Sequence, residues 1–195
     1  MKKWKPRKGT IKLCILSAVL LTVIIWTIWG NTALMVNTVT VTAGRIPVAF
    51  SGFRIAQVSD LHNAEFGENN ARLLELLSES GPDIIVITGD LVDSGHTDID
   101  IAIRFAEEAA RIAPVYYVTG NHEARLSQYD RLRNGLEAAG VSMLEDRAVE
   151  LERDGEKITL AGLSDPDFTV RGDIFGEIPA MVSTKLESLA DTESS

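Results

Sequence analysis

Hydrophobic and polar positions follow different patterns on the two sides of residue 53. Before it, residues 13–29 form one apolar run, LCILSAVLLTVIIWTIW, which contains no charged side chain. After it, short apolar runs alternate with longer segments in which apolar residues recur every three or four positions. Alternating strand-like and helix-like periods are typical of βαβ units, in which the strands are parallel. The pattern therefore predicts one apolar helix followed by an α/β domain.

The apolar run is a candidate membrane anchor. Between Lys12 and Gly30 it covers about 18 residues, near the lower limit for a helix that spans a bilayer. Six basic residues lie within 1–12, and Arg45 is the first basic residue after the run. This asymmetry predicts a cytoplasmic tail at 1–12, a single-pass transmembrane anchor at 13–30 in the cell membrane, and the rest of the chain outside the cytoplasm. A cleaved signal peptide is the alternative, although the GNTALMVN that follows has no clean small-residue cleavage site.

The remaining residues divide into a linker and a folded domain. Residues 31–52 are predicted to be a linker with one extended strand near 36–41, and a domain is predicted at 53–195. Its first part contains three strand–helix units, with strands at 53–58, 84–88 and 115–119 and helices at 69–80, 99–112 and 129–139. After residue 140 we expect strands at 141–144, 148–151 and 157–163, the last two as a hairpin, and a weak helix at 181–190.

Each strand–helix unit carries an Asp or Asn just beyond its strand. These residues, Asp60, Asp90 and Asn121, are 30 and 31 residues apart. Parallel strands bring their carboxyl ends to one edge of the sheet, where open α/β proteins bind ligands. The three loops read SDLH, GDLVD and GNHE, and together they offer carboxylates, an amide and two imidazoles. That set suits Mn²⁺, Fe or Zn²⁺ better than Ca²⁺, although a single Asp after a strand is most often only a helix cap.

Charge limits the partners of the domain. The formal net charge is −9, and beyond residue 12 there are 13 basic residues against 28 acidic ones. A body this acidic disfavours nucleic acid, so no nucleic-acid binding is expected, and a phosphate substrate would require bound cations. A single cysteine excludes a disulfide within the chain. Nothing in the composition predicts an oligomeric state.

The motifs D-x-H, G-D-x-x-D and G-N-H-E, in this order, resemble those of the calcineurin-like metallophosphoesterases. The resemblance covers Phe53 to Asp165, and GFRIAQVSDLH resembles the membrane-associated bacterial branch. It implies an α/β sandwich of two sheets flanked by helices. It also implies hydrolysis of a phosphomonoester or phosphodiester by a metal-activated water at a centre of two divalent ions (Mn, Fe or Zn). The predicted membrane anchor makes a lipid-linked ester one candidate substrate.

The same resemblance implies a role for each matching residue. Asp60 and His62 would bind the first ion, Asp90 would bridge both ions, and Asn121 would bind the second. His122 would contact the leaving group, with Asp93 orienting it.

The chain also departs from the family pattern, which continues with a further His and a G-H-x-H motif. Its histidines are His62, His96 and His122, so the domain is expected to be incomplete at its C-terminus and its metal centre to lack ligands. His96 is expected at the surface, and Asp165 and Asp167 in a turn. The alternatives to a hydrolase are a membrane-tethered binding or scaffold module that keeps the fold, and a fragment that does not fold alone.

Overall fold

The computed structural model describes residues 8–95, 97–168 and 177–191. The chain divides into two compact units, Met1–Thr38 and Val39–Ser195. In the first unit, helix α1 covers Lys8–Thr32 and exposes large apolar side chains from Leu13 to Trp26. The hydroxyls of Thr22 and Thr27 donate to carbonyls one turn earlier in the helix, at 2.9 Å in both cases. The polar groups inside the apolar run are thereby satisfied within the helix.

The anchor predicted at 13–30 is not confirmed as a membrane-spanning helix. Within the part of the chain that the structure describes, no helix is long and apolar enough to cross a membrane. The orientation that the charge asymmetry predicts stays a prediction.

The strand predicted near 36–41 is wrong. Residues 33–43 are neither helix nor strand, and Val36, Val39 and Val41 are exposed. The segment is rich in β-branched residues, but no strand of the described residues pairs with it. A strand requires such a partner for its backbone hydrogen bonds, so the pattern alone does not form one.

A parallel sheet of four strands is the centre of the second unit. Its order is β1-β2-β3-β4, and its strands are β1 (Ile55–Val58), β2 (Ile84–Thr88), β3 (Val115–Val118) and β4 (Ser142–Met143). The registers pair Val58 with Ile87 and Thr88 with Val118, so the carboxyl ends of the first three strands lie at one edge. The predicted parallel α/β arrangement is therefore confirmed.

Helices connect these strands and supply the core. They are α2 (Ala71–Ser80), α3 (Ile99–Ala110), α4 (Asn121–Ala124) and α5 (Tyr129–Ala138), with α6 (Glu177–Asp191) near the end of the chain. The fully buried side chains come from both layers, among them Ile85, Ile87 and Tyr117 of the sheet and Phe105, Leu132 and Leu136 of the helices. The one-turn helix α4 is not predicted by the sequence pattern.

Two antiparallel strands form a second, smaller sheet. β5 (Arg147–Arg153) pairs with β6 (Glu156–Gly162) along their whole length. The turn between them places Asp154 and Gly155 at φ angles of 52° and 81°. Left-handed residues at both central positions give the twist that a two-residue hairpin needs. The predicted hairpin is confirmed, with a first strand longer than expected and a second strand that begins and ends one residue earlier.

Candidate metal centre

Backbone hydrogen bonds hold the first two loops side by side beyond the strand ends. Three N–H groups of the first loop donate to three carbonyls of the second, at 3.2, 2.9 and 3.1 Å. The pairs are Asp60 with Gly89, His62 with Asp90, and Asn63 with Leu91. The parallel pairing of β1 and β2 thus continues into the loops, and the side chains of both loops are fixed relative to one another.

Left-handed backbone conformations are concentrated in these loops. Asp60, His62, Asn63 and Asp90 have φ angles of 54°, 46°, 58° and 50°. Each residue in such a region costs on the order of 1–3 kcal/mol unless its surroundings impose it, and such residues cluster at functional sites. Here the hydrogen bonds between the loops impose the conformation.

Two glycines allow the second and third loops to approach each other. A Cβ on Gly89 would lie 2.6 Å from the Gly120 nitrogen, and a Cβ on Gly120 would lie 2.3 Å from Asp90 Oδ1. Gly89 also has a φ of 86°, which a residue with a side chain rarely adopts. The glycines that open the G-D and G-N-H motifs are therefore required by backbone contact between the loops.

The structure brings together several side chains that the sequence singles out. Asp60, His62 and Asp90 each offer one ligand atom, and the three atoms lie within 4.8 Å of one another. A second group with the same spacing contains His62, Asp93 and His122. The rings of His62 and His122 meet edge to face, with centroids 4.5 Å apart. One set of candidate ligands therefore surrounds His62.

The side-chain amide of Asn121 lies between Asp90 and Arg125. One of its terminal atoms is 3.0 Å from Asp90 Oδ2, and the other is 3.0 Å from Arg125 Nη1. With the nitrogen toward Asp90, the amide donates to that carboxylate and its oxygen accepts from Arg125. The opposite orientation aims the amide oxygen at Asp90 Oδ2. Asn121 is thus adjacent to Asp90, as its predicted role as a ligand requires.

Hydrogen bonds fix both the position and the tautomer of His122. Its backbone N–H donates to Asp90 Oδ1 at 2.9 Å, and its Nδ1 accepts from the backbone N–H of Ser94 at 3.0 Å. Because Nδ1 is an acceptor, the neutral imidazole carries its proton on Nε2. Asp93 accepts from the N–H of Gly95 at 2.6 Å, and its predicted role in orienting His122 stays a prediction.

Glu123 is a residue whose importance the sequence argument missed. It is fully buried, and its carboxylate accepts four backbone N–H groups. Oε1 accepts from Leu91 and Val92 at 2.8 and 3.3 Å, and Oε2 accepts from Asp90 and Gly120 at 2.9 and 2.8 Å. The bond to Gly120 belongs to a helix N-terminus with Glu three residues after the cap, a spacing that is visible in the sequence.

Asn63 has a comparable positioning role in the first loop. Its side-chain oxygen accepts from the N–H of Asp93 at 3.0 Å and from that of Asp98 at 3.3 Å. Its side-chain nitrogen donates to the Asp98 carbonyl at 2.6 Å. These bonds tie the loop that carries Asp93 to the loop that carries His62. No local signal in the sequence indicates these contacts.

The remaining predicted residues lie beside the centre. Asp165 accepts from the N–H of Asp167 at 2.8 Å at the start of a single 3-10 turn, Pro166–Phe168, so its expected turn role is confirmed. The Asp167 carboxylate is 2.7 Å from Arg125 Nη2. His96, predicted to be a surface residue, lies outside the described residues.

The donor set fits divalent transition metals. It combines carboxylates, an amide and imidazoles, which are the ligands that Mn²⁺, Fe and Zn²⁺ accept. His62 Nδ1 is buried and has no hydrogen-bond partner among the residues described, so this nitrogen is not engaged by the protein around it. The acidic residues of the centre also affect Tyr117 of the neighbouring strand β3. Its pKa is raised well above the ordinary value, first by burial and then by the negative charges of Glu123, Glu145 and Asp90.

Comparison with known proteins now decides the family. A sequence profile described as calcineurin-like phosphoesterase matches residues 53–187. The chain belongs to this family. This membership confirms the resemblance that the three motifs indicated. The residues described above therefore lie in a calcineurin-like phosphoesterase domain.

Several curated relatives are similar over part of their length. A transmembrane protein with metallophosphoesterase domain from Danio rerio is 29% identical over 129 residues, which are 62% of this chain and 29% of that protein. The Bos taurus protein of the same description is 28% identical over 67% of this chain and 31% of its own length. The uncharacterized metallophosphoesterase YkoQ of Bacillus subtilis is 27% identical over 75% of this chain and 55% of its own.

A solved structure is also similar. The phosphopantetheinyl hydrolase of Mycobacterium tuberculosis matches at a TM-score of 0.44 and 22% identity, over 68% of this chain and 50% of that one. The chain spans less than a third of the length of the two transmembrane relatives. The predicted C-terminal incompleteness stays a prediction.

Proposed function

We propose that this protein hydrolyses a phosphomonoester or phosphodiester at a centre of two divalent cations. The observation that supports this most is the grouping of Asp60, His62 and Asp90, whose ligand atoms lie within 4.8 Å of one another beside the Asn121 amide. Membership of the phosphoesterase family supplies the reaction class.

Each ligand has a role that its position supports. Asp60 and His62 would hold one cation, Asp90 would be shared, and Asn121 would contribute its amide oxygen to the second position. Cations at such a centre lower the pKa of a coordinated water and offset the charge of the phosphoryl group. Glu123 keeps Asp90 in place by accepting the backbone N–H groups of Asp90 and of the next residue, Leu91.

His122 acts on the leaving oxygen in this proposal. Its Nε2 carries the proton of the neutral ring, because Nδ1 accepts from Ser94. This N–H would donate a hydrogen bond to the departing oxygen and stabilise the negative charge that develops there, and a positioned group of this kind typically contributes ~10²–10⁴ in rate. Asp93 lies close to both imidazoles and would help to orient His122.

The test combines metal binding with turnover. The full chain in mild detergent is titrated with Mn²⁺ by calorimetry, and Mn²⁺-dependent hydrolysis of bis-p-nitrophenyl phosphate and p-nitrophenyl phosphate is measured. We expect Asp90→Asn to abolish both. Asp154→Asn is the matched control, because Asp154 has a similar φ, 52° against 50°, but lies in the exposed hairpin turn. A wild-type chain that binds Mn²⁺ without hydrolysing either ester would refute the hydrolase and favour the binding module.

We further propose that α1 attaches the protein to a lipid bilayer. Its exposed apolar side chains and internally bonded threonines support this, and two relatives are described as transmembrane proteins. A lipid-linked phosphate ester at the same bilayer suits such an attachment. Sedimentation with membranes at alkaline pH tests the attachment, and recovery of the chain in the supernatant would contradict it.

A further inference from the structure

The Asn121 amide can face its two neighbours in two orientations, and they have different consequences for ligand binding. Asp90 Oδ2 lies 3.0 Å from one end of the amide and Arg125 Nη1 lies 3.0 Å from the other. With its nitrogen toward Asp90, the amide satisfies both neighbours. As a metal ligand, however, Asn121 has to offer its oxygen on the side of Asp90, because only the oxygen has lone pairs for a cation.

Turning the amide in this way changes what faces Arg125. The amide nitrogen then stands beside Arg125 Nη1, so two groups that only donate hydrogen bonds are neighbours at about 3 Å. Neither can satisfy the other. An anionic oxygen in reach of both would accept from each of them, and a phosphoryl oxygen next to the metal centre is an acceptor of this kind.

We propose that Arg125 and the Asn121 amide nitrogen form a binding position for a non-bridging phosphoryl oxygen of the substrate. The inference rests on the proposed function and adds a residue to its substrate site. The position exists only when the Asn121 oxygen is turned toward Asp90, so binding of the phosphoryl group depends on prior binding of the cation. Arg125 brings a positive charge beside a group of candidate ligands that consists of carboxylates, an amide and imidazoles.

Arg125 is held where this role needs it. Its Nη2 is paired with the Asp167 carboxylate at 2.7 Å, while its side chain remains 55% exposed. Asp167 is itself fixed, since its N–H donates to Asp165 and the next residue, Phe168, packs edge to face on Tyr129 at 5.0 Å between centroids. A guanidinium anchored through one nitrogen keeps other N–H groups for a phosphate.

A purely structural role is the competing explanation for Arg125. An exposed Arg–Asp pair contributes little to stability, about 0–1 kcal/mol, so the Arg125–Asp167 pair could simply fasten the turn at 166–168. The two explanations differ in what Arg125→Ala changes. If Arg125 is only structural, its replacement lowers the stability of the protein. If Arg125 binds the phosphoryl group, its replacement lowers the affinity for phosphate and leaves the affinity for the metal unchanged.

Inorganic phosphate is the probe, and calorimetry on the full chain in detergent is the measurement. Phosphate is titrated into wild type and variants with and without saturating Mn²⁺. We expect wild type to bind phosphate only with Mn²⁺. Arg125→Ala should weaken that binding about 10- to 100-fold, the range for a lost charge-assisted hydrogen bond, while Mn²⁺ affinity stays within about threefold. Arg125→Lys should keep part of the affinity, because it retains the charge without the planar fork.

Arg131→Ala is the matched control. Arg131 is also 55% exposed and is also paired with an aspartate, Asp100, at 2.7 Å, but it belongs to α5. It should leave phosphate binding unchanged. Equal phosphate affinity of wild type and Arg125→Ala at normal Mn²⁺ affinity would overturn this inference alone. A wild-type chain that binds neither Mn²⁺ nor phosphate would overturn the proposed function with it.

Discussion

Replacing Glu123 by Gln tests whether one buried carboxylate organises the whole centre. Each carboxylate oxygen accepts two backbone N–H groups, at distances between 2.8 and 3.3 Å. Glutamine has nearly the same shape but replaces one oxygen with an NH₂ group. Whichever way that amide turns, two N–H groups lose their acceptor and face another donor.

The size of the effect follows from these contacts. A hydrogen bond to a charged group contributes about 1.5–3 kcal/mol, so two lost bonds cost about 3–6 kcal/mol. The free energy of unfolding of a whole domain is typically about 5–15 kcal/mol. Glu123→Gln should therefore remove a large fraction of the stability, and should weaken Mn²⁺ binding because Asp90 donates one of the lost or weakened bonds.

Urea unfolding of the full chain in detergent, followed by circular dichroism, measures the change in free energy. Amide hydrogen exchange over residues 90–92 measures the local effect, and protection there should fall most. Glu137→Gln is the control, since Glu137 forms an exposed pair with Arg133 at 3.2 Å and should cost less than about 1 kcal/mol. If Glu123→Gln unfolds within about 1 kcal/mol of wild type and keeps the protection of these amides, the reasoning is wrong.

Three further outcomes are expected. His122→Ala should lower Mn²⁺-dependent hydrolysis about 10²- to 10⁴-fold while calorimetry finds Mn²⁺ still bound; loss of the metal would instead make His122 a ligand, as its grouping with His62 and Asp93 allows. The raised pKa of Tyr117, caused first by burial and then by Glu123, means that its contribution to stability is present below about pH 10 and is lost as the pH rises toward the folded-state pKa. As the pH rises through the alkaline range, the urea midpoint of Tyr117→Phe should therefore fall less steeply than that of wild type. Equal slopes for the two proteins would contradict this. Finally, protease added to intact spheroplasts of an expressing bacterial host should digest the second unit and leave an N-terminal stub, whereas full protection would refute the predicted orientation.

The sequence predicted the secondary structure best where hydrophobic burial alone decides it. β2 has the predicted bounds, Ile84–Thr88, because a central parallel strand is covered on both faces and reads as a continuous apolar run. The starts of α3 and α5 were also predicted, since Asp98 caps α3 and the apolar faces of both helices are clear. The segment 36–41 shows the limit of this approach, because it is rich in β-branched residues but has no partner strand among the described residues.

The sequence also identified most residues of the candidate centre, for a topological reason. Parallel strands end at one edge, so the loops after β1, β2 and β3 must meet there wherever the helices between them lie. Asp60, Asp90 and Asn121 could therefore be grouped without any distance. What the pattern could not supply was the relation between individual atoms: which side of an amide faces a carboxylate, or which nitrogen of an imidazole accepts a hydrogen bond.

The sequence by itself determined the order of the elements, the parallel sheet and the edge at which the motifs meet, because these follow from hydrophobic periodicity and chain connectivity. Only the tertiary structure decided the roles of Glu123, Asn63 and Arg125. Three of the four donors to Glu123 lie more than 30 residues before it, and Arg125 meets its partner Asp167 42 residues later. Such contacts leave no local pattern, since a buried carboxylate and an exposed one look alike in a sequence. Their energies depend on which backbone groups the fold brings within about 3 Å.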